Sequence, residues 1–288
     1  MTSIRFELMP LVGMQEAALS LPAGATVTVT CSPRHGLERT LEATEWLVDR
    51  GFCVVPHLAA RRVRDSAHLE SLLERLVALG VDDIFVVGGD GESPLGDYSH
   101  GLALLQAMEG LAQRPARVGV PVYPEGHHAI DGDALERDLV AKASLADYAV
   151  TQLCFEAEPL LAWRRRQSRL GLALPVYAGI PGVMEPKRLL AIAMRLGLGP
   201  SMRALRRQSG WLRRLLSPSD FRPDALLEKV EPLLGDGVDG FIGLHVYTFN
   251  RVEPTQRWLE ARLRLMAGRP ESTSSVADPV TSAGEPLG

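Results

Sequence analysis

Polar side chains that could take part in catalysis stand at the ends of short apolar segments along the chain. They are Glu7, Thr30, His57, Asp90, Tyr123, Gln152 and Tyr247. Glu7 lies between Phe6 and Leu8, where a carboxyl group would be poorly solvated and suited to general-acid chemistry. A structural ion pair with a lysine or arginine explains Glu7 equally well, because perturbed carboxylates occur in both settings.

Asp90 stands in a glycine-rich segment, Gly88-Gly89-Asp90-Gly91. Glycine lets the backbone approach a ligand closely, but glycine and aspartate also dominate ordinary turns. The segment matches neither a dinucleotide-binding fingerprint nor a Walker loop, since it lacks the GxGxxG context and no lysine follows. Taken alone, Asp90 is therefore more typical of a turn than of an active site.

Residues 123–128, YPEGHH, bring together an aromatic ring, a carboxylate and two imidazoles. Adjacent histidines point apart and no second group of ligands lies nearby in the sequence, so we predict no metal site. His57 on its own is more typical of a packed histidine than of a catalyst. A serine or cysteine in a GxSxG turn is absent. The cysteines at positions 31, 53 and 154 form no CxxC pair, which argues against a zinc site or a disulfide framework.

Two stretches of the chain are rich in arginine, at residues 164–169 and 203–214. Such runs are usually solvated helix faces, and exposed charges contribute little to stability. Alternatively, these arginines could bind a substrate tail with several negative charges or a phosphate of a cofactor.

Strand-like and helical segments alternate along the whole chain. The strand-like segments cover residues 5–7, 27–30, 54–57, 85–90, 118–123, 150–152, 176–181 and 244–247. Helical spacing of apolar residues occurs at 37–48, 67–79, 101–111, 134–146, 159–170, 186–196, 223–234 and 254–266. Such alternation predicts parallel strands that are buried on both faces. Eight of them close a barrel whose active site lies at the carboxyl ends of the strands.

We therefore predict an α/β fold, a single-domain (β/α)8 TIM barrel over residues 1–267. The alternative is an open doubly wound sheet, which usually has fewer strands and a glycine-rich turn after the first strand, and residues 9–11 lack such a turn. The interval between residues 181 and 241 is too long for one crossover, and we expect three helices there, one of them at 202–216. Residues 268–288 have the composition of a disordered tail.

The composition argues against several classes of protein. Of the 288 residues, 46% are hydrophobic and 23% are charged, as in soluble globular proteins. The net charge of -4 predicts no general attraction to nucleic acid or to anionic membranes. We find no leader-like segment and no run of about 18 apolar residues, so we expect a cytoplasmic protein.

In their order along the chain, these segments resemble the methylenetetrahydrofolate reductase family, flavin-containing (β/α)8 barrels of one-carbon metabolism and methionine biosynthesis. The matching runs are RFELMP at 5–10, VTVT at 27–30, PHL at 56–58, GGD at 88–90, VPVYPEGH at 120–127, TQLCF at 151–155, GIPGVM at 179–184 and HVYTFNR at 245–251. YPEGH, TQ and the YTxNR ending are the most specific of these runs. The resemblance spans nearly the whole of the expected barrel.

The resemblance implies reduction of 5,10-methylenetetrahydrofolate to 5-methyltetrahydrofolate. Glu7 would supply the proton at N10 that opens the methylene bridge, and Asp90 would stabilise the resulting cation at N5. Gln152 would hydrogen-bond the pterin, whose polar edge cannot be buried unpaired. Tyr247 and Arg251 would bind the substrate.

Departures from the family pattern bear on the cofactor. Gly88 stands where the family has an arginine that offsets the flavin diphosphate, and Ala59 replaces a threonine. The segment before Thr151 is one residue shorter than the family pattern. Each lost hydrogen bond from a charged donor forfeits about 1.5–3 kcal/mol, so the resemblance implies weak binding of FAD.

These departures are similar to those of the flavin-independent branch of the family. We therefore expect direct hydride transfer from NADH, with NADPH as an alternative donor. Residues that contact flavin by resemblance would line the NADH site or be remnants, and they are Thr30, His57, Tyr123, His127 and Lys142. Three other hypotheses stay open: an FAD-dependent reductase that uses another arginine, a barrel that binds folate without catalysis, and a barrel that uses a deazaflavin.

Overall fold

The structure is a computed structural model that describes residues 3–32, 34–90, 93–127, 129–172, 174–195, 219–235 and 239–267. Eight parallel strands form a closed barrel in the order of the chain. The strands are β1 Ser3–Leu8, β2 Thr26–Val29, β3 Cys53–Ala59, β4 Asp83–Val87, β5 Arg117–Val122, β6 Tyr148–Thr151, β7 Val176–Pro181 and β8 Gly243–Tyr247. The predicted (β/α)8 barrel and its eight strands are confirmed.

Helices follow the strands around the outside of the barrel. The described residues include α1 Met14–Ala18, α2 Gly36–Val48, α3 Ser66–Ala78, α4 Gly101–Met108, α5 Gly132–Ala143, α6 Ala157–Arg169, α7 Pro186–Arg195, α8 Asp224–Val230 and α9 Val252–Ala267. Each of the eight predicted helices is present, whereas the short α1 was not predicted. The expected helix at 202–216 and the expected tail at 268–288 lie outside the described residues. Within the described part of the chain, no helix is long and apolar enough to cross a membrane.

Two helices begin where an aspartate side chain accepts a hydrogen bond from the first helical turn. Asp65 accepts from the backbone N–H of His68 at the start of α3, and Asp131 accepts from that of Asp133 at the start of α5. Such caps satisfy N–H groups that the helix itself leaves unpaired. They fix the points at which the chain turns from the barrel mouth back along its outside.

β4 is shorter than the sequence predicted, and this changes the position of Asp90. The strand ends at Val87 instead of Asp90. Gly89 adopts a φ of 87°, which takes the chain out of the extended conformation, and the carbonyl oxygen of Gly88 accepts a hydrogen bond from Arg61 N–H at 3.1 Å. Asp90 therefore lies in a loop beyond the strand and is exposed.

Side chains of β1 alternate between the two sides of the sheet, as strand geometry requires. Phe6 and Leu8 belong to the apolar layer shared with the helices. Arg5 and Glu7 belong to the interior of the barrel, where the Arg5 guanidinium pairs with Asp83 of β4 at 2.8 Å. Arg5 thus balances a carboxylate at the N-terminal end of the barrel, and Glu7 lies at the opposite end.

Candidate active site

Glu7 lies near the carboxyl end of β1 and contacts two histidines. Its Oε2 atom lies 3.1 Å from Nε2 of His245 and 3.8 Å from Nε2 of His57. The side chains of Glu7, His245 and His57 are only 11%, 1% and 8% exposed. A carboxyl group and two imidazoles therefore share one dry pocket in the mouth of the barrel.

His57 is uncharged at neutral pH. Burial lowers its pKa to about 4; the nearby Glu7 opposes this shift and His245 adds to it. The ring packs against Phe85, with the ring centres 4.8 Å apart. His57 therefore brings a polar edge to the pocket without bringing a positive charge.

The chain that follows β8 is fastened to the end of β1. Thr248 Oγ1 donates to the carbonyl oxygen of Glu7 at 2.6 Å. The amide of Asn250 accepts from the N–H of Met9 and donates to its carbonyl oxygen, both at 2.9 Å. Phe249 and Asn250 have φ values of 49° and 64°, a left-handed conformation that is uncommon outside glycine. These contacts hold the backbone of Glu7 in place.

Tyr247 spans the mouth of the barrel from β8 to β6. Its hydroxyl donates to the carbonyl oxygen of Thr151 at 2.9 Å. Burial, followed by the charge of Glu7, raises the pKa of Tyr247 well above its ordinary value, so the phenol stays protonated. Gly179 makes room for this contact, because a Cβ atom there would lie 2.2 Å from the Thr151 oxygen and 2.9 Å from the Tyr247 ring.

Gln152 follows β6 directly and is half-buried at the same mouth. Its backbone N–H donates to the carbonyl oxygen of Val122 at 2.7 Å. Its side-chain oxygen accepts from the N–H of Leu153 at 3.2 Å, which orients the amide group. The structure thus places Gln152 beside the strand end that carries Thr151.

Arg251 lies farther from the barrel interior and is ion-paired. Its guanidinium lies 3.1 Å from a carboxyl oxygen of Glu185 and 3.0 Å from one of Asp220. These two pairs tie the segment after β8 to the segments that flank the long β7–β8 connection. A substrate carboxylate at Arg251 would have to share or replace these partners.

The predicted cofactor residues around β5 form a second group. The rings of Tyr123 and His127 pack edge to face with centres 5.1 Å apart. Lys142 is buried, and its Nζ lies 2.5 Å from a carboxyl oxygen of Asp138. Burial, then Asp138, then Asp90 raise the pKa of Tyr123 to about 12. Asp90 therefore lies within electrostatic reach of this group.

The second group borders the Glu7 pocket. Tyr247 lies between the two groups, since Glu7 on one side and Tyr123 on the other are both close enough to raise the pKa of its hydroxyl. Thr30 lies on the β2 side, where its backbone N–H donates to the carbonyl oxygen of Leu8 at 3.0 Å. The structure therefore brings the predicted proton donor and several predicted cofactor residues to one end of the barrel.

Comparison with known protein families shows the family to which the chain belongs. The sequence model of the family named methylenetetrahydrofolate reductase matches residues 13–198. The chain belongs to this family. Membership supports a reductase-type activity of this kind, and it is consistent with a folate-type substrate. The match begins before β2 and ends beyond β7, so it includes the segments that carry His57, Asp90, Tyr123 and Gln152.

Solved structures of other proteins are similar to this chain at low sequence identity. One, from Burkholderia cenocepacia, is described as a lyase/mutase; it is 13% identical, has a TM-score of 0.48, and the match covers 93% of this chain and 83% of that one. Another is a class V chitininase from Pseudomonas fluorescens, which is 12% identical with a TM-score of 0.48, and the match covers 91% and 99% of the two chains.

At the end of β4, no described residue fills the space beside the position where the family resemblance places an arginine. A Cβ atom at Gly88 would meet no atom of the described residues within 4 Å. Lys142 lies close by, since its Nζ and the backbone nitrogen of Gly88 lie 3.6 and 3.7 Å from the Cβ position of Gly101. A cation is therefore near this strand end, and it is already paired with Asp138.

The arginines at 164–169 do not all form a solvated face, so that expectation was wrong in part. Arg164 is 1% exposed, and its Nε donates to the carbonyl oxygen of Gly240 at 2.8 Å. Arg165 and Arg166 do lie at the surface. Arg203–Arg214 and His128 lie outside the described residues. Among the residues that the structure describes, no group of three or more histidine, cysteine, aspartate and glutamate side chains could hold a metal ion.

Sequence reasoning missed His245 as a member of the site. His245 lies inside one of the matched runs, but Tyr247 ends the strand and was predicted as the site residue of β8. Alternation offered a signal, since His245 and Tyr247 are two residues apart and must face the same side of β8. The contact with Glu7 depends on the pairing of β1 with β8, which places Arg5 opposite His245 and Glu7 opposite Tyr247.

Proposed function

We propose that this protein reduces 5,10-methylenetetrahydrofolate to 5-methyltetrahydrofolate by direct hydride transfer from NADH, without a flavin. Membership of the reductase family supports the reaction. The observation that carries the flavin-free part is the open backbone at Gly88, next to a lysine that already has a carboxylate partner.

Glu7 is the proton donor in this proposal. Protonated Glu7 gives its proton to N10, the bond between N10 and the methylene carbon breaks, and the N5 lone pair forms the iminium ion. Hydride from C4 of NADH then adds to the methylene carbon, which yields the methyl group and NAD⁺. Burial among His245, His57 and Tyr247 keeps water away from the acid. The neutral state of His57 supports this role, because a charged imidazole there would repel the cation at N5.

Asp90 and Gln152 act on the substrate in complementary ways. Asp90 supplies the negative field that stabilises the N5 cation, and this requires the substrate or the loop to cover a carboxylate that is exposed in the structure. Gln152 hydrogen-bonds the pterin. Tyr247 and Arg251 complete the folate site, with Arg251 exchanging an ion pair for a carboxylate of the substrate.

The residues around β5 fit a flavin diphosphate poorly. A diphosphate buried there would meet the carboxylates of Asp138 and Asp90, which already act together on Tyr123. Lys142 would have to neutralise it while paired with Asp138, and Gly88 adds no donor side chain. NADH leaves after each turnover, and its diphosphate can stay in solvent. NADH binding therefore does not require cationic side chains that neutralise a buried diphosphate. We assign Thr30, His57, Tyr123, His127 and Lys142 to the NADH site, with NADPH as an alternative donor.

The purified protein tests this proposal directly. We expect no flavin absorbance between 350 and 500 nm, roughly the flavin range, and folate-dependent oxidation of NADH whose rate does not change when FAD is added. Stoichiometric bound FAD, together with loss of activity when the flavin is removed, would show instead a conventional flavoenzyme.

Glu7→Gln separates the enzyme from a barrel that only binds folate. The substitution keeps the shape of the side chain but removes the transferable proton, so turnover should fall by at least about 100-fold while folate affinity stays within about threefold. Isothermal titration with folate and a steady-state assay give the two quantities. Unchanged turnover would refute the acid role.

A further inference from the structure

His245 is a buried histidine to which neither the sequence nor the family comparison assigned a task. Its Nε2 lies 3.1 Å from Oε2 of Glu7, and its side chain is 1% exposed. In the part of the chain that the structure describes, its Nδ1 is also buried and has no hydrogen-bond partner. In a neutral imidazole only one ring nitrogen carries a proton. The hydrogen bond that His245 makes through Nε2 therefore decides which nitrogen that is.

The distance suits either direction of this hydrogen bond, and we place the imidazole proton on Nε2 because an acid that carries its own proton on Oε1 accepts at Oε2. A carboxyl oxygen that bears no proton is an acceptor, so Nε2–H of His245 donates to Oε2 of Glu7. Nδ1 is then an unprotonated acceptor that faces no donor, which is tolerated more often than an unpaired N–H group. Oε2 is thereby occupied, and Oε1 is left as the oxygen that can carry the transferable proton.

The imidazole is held in place by its neighbours. The Tyr247 ring packs on one side with ring centres 4.7 Å apart, and Phe85 stacks at 6.5 Å. Thr248, three residues farther along the same chain segment, holds the backbone of Glu7. β8 and the residue that follows it therefore fix both the carboxyl group and the backbone of Glu7. An acid needs this support to deliver a proton in a defined direction.

We propose that His245 is a positioning residue for the Glu7 acid, with Nε2–H holding Oε2 so that Oε1 delivers the proton to N10. The proposal rests on the proposed function. Hydrogen bonds from N–H groups are stronger to a carboxylate than to a neutral acid, so this bond strengthens as the proton leaves. It therefore favours the step in which the N10–carbon bond breaks and N10 takes the proton. One proton from solvent restores Glu7 after each turnover.

Three substitutions at position 245 test the proposal. His245→Leu removes the donor, His245→Asn places an amide too short to reach Glu7, and His245→Gln places an amide nitrogen near the position of Nε2. We expect kcat to fall roughly 10- to 100-fold in the leucine and asparagine variants, with KM for the folate within about threefold of wild type. The glutamine variant should recover most of kcat.

A second readout separates positioning from loosened structure. The solvent deuterium isotope effect on kcat should rise in the leucine and asparagine variants and return towards the wild-type value with glutamine, because proton delivery then limits the rate. If His245→Leu does not fold, the kcat values and isotope effects of His245→Asn and His245→Gln are compared with each other to test the proposal. Wild-type kcat in the asparagine variant, or equal losses with asparagine and glutamine, would overturn the proposal. If Glu7→Gln loses turnover while the His245 variants keep the wild-type kcat, the acid role of Glu7 stands and only the positioning role of His245 is overturned.

Discussion

At the scale of single residues, the pocket holds His57 and Tyr247 in their uncharged forms. Glu7 contacts two imidazoles, yet the pKa of His57 is lowered to about 4 and that of Tyr247 is raised far above 10. Both groups are therefore neutral at physiological pH. A site built this way can donate a proton and then accommodate the cation that the proton transfer creates.

The buried state of His57 makes the stability of the protein depend on pH. Its pKa is about 4 in the folded protein and near 6.5 in an unfolded chain, so the unfolded state binds the proton more readily between these values. Stability should be fully present above pH 7 and fall by about 2 kcal/mol as the pH drops to 4.5. Urea unfolding at the two pH values measures the difference.

The matched variants for this measurement are His57→Asn and His35→Asn. His57→Asn should show a smaller acid-induced loss than wild type, because it removes the group that must be protonated. His35 is exposed, so its replacement should leave the loss unchanged. An identical pH dependence in wild type and His57→Asn would rule out this origin.

Gly88 allows the missing arginine to be put back. A side chain at this position starts in open space, so Gly88→Arg should fold normally. We expect the guanidinium to tighten FAD binding by at least about tenfold, since a charged hydrogen bond to phosphate contributes about 1.5–3 kcal/mol. Fluorescence titration with FAD measures this, and Gly88→Gln controls for size without charge. Equal affinities of the two variants would show that the arginine position does not control flavin binding.

At the scale of the elements, the mouth of the barrel depends on close contacts between β6, β7 and β8. Tyr247 reaches from β8 over Gly179 of β7 to Thr151 of β6. The amide of Gly179 also donates to the hydroxyl oxygen of Thr151 at 2.8 Å. Three strand ends are therefore locked in one arrangement at the place where Gln152 leaves the sheet.

Gly179→Ala should disturb this arrangement. The added methyl group would lie 2.2 Å from a backbone oxygen, a clash that only a strand shift can relieve. We expect a loss of about 1–3 kcal/mol in stability, measured by thermal or urea unfolding. Gly132→Ala, at the start of α5, is the control, because no atom of the described part of the chain lies within 4 Å of its Cβ position. Equal stability of the two variants would contradict the described packing.

The sequence predicted these elements because each leaves a local trace. Apolar runs and helical spacing identified the eight strands and eight helices, with ends that differ from the structure by a few residues. The short α1 left no such periodic trace. The sequence pattern predicts a strand that continues through Gly88 and Gly89 to Asp90. β4 ends at Val87 instead, and the left-handed conformation of Gly89 prevents its continuation.

At the scale of the whole molecule, the barrel separates stability from chemistry. At its N-terminal end, Arg5 pairs with Asp83 and donates to Tyr148 at 2.6 Å, and this buried network fills the interior. At its C-terminal end lie Glu7, the histidines and the predicted cofactor residues. This division is the usual one for (β/α)8 barrels.

The sequence predicted those candidate site residues that can be recognised from a single strand end. It did not predict residues whose role depends on a contact that forms only when the barrel closes. Glu7, His57 and Tyr247 were identified from their positions at strand ends, and closure brings them together. His245 was not identified, because its role depends on the pairing of the first strand with the last. The same holds for Lys142 and Asp138, since the sequence pattern alone does not show that the predicted cofactor residue already has a partner.

The central claim is that hydride passes from NADH to the folate without an intermediate carrier. Flavin-mediated transfer places the hydrogen on a nitrogen that exchanges with water, whereas direct transfer does not. We therefore propose to supply NADH deuterated at the transferred C4 position in ordinary water and to analyse the methyl group of the product by mass spectrometry. Direct transfer predicts that each product molecule retains one deuterium atom. Loss of the label to solvent would contradict it.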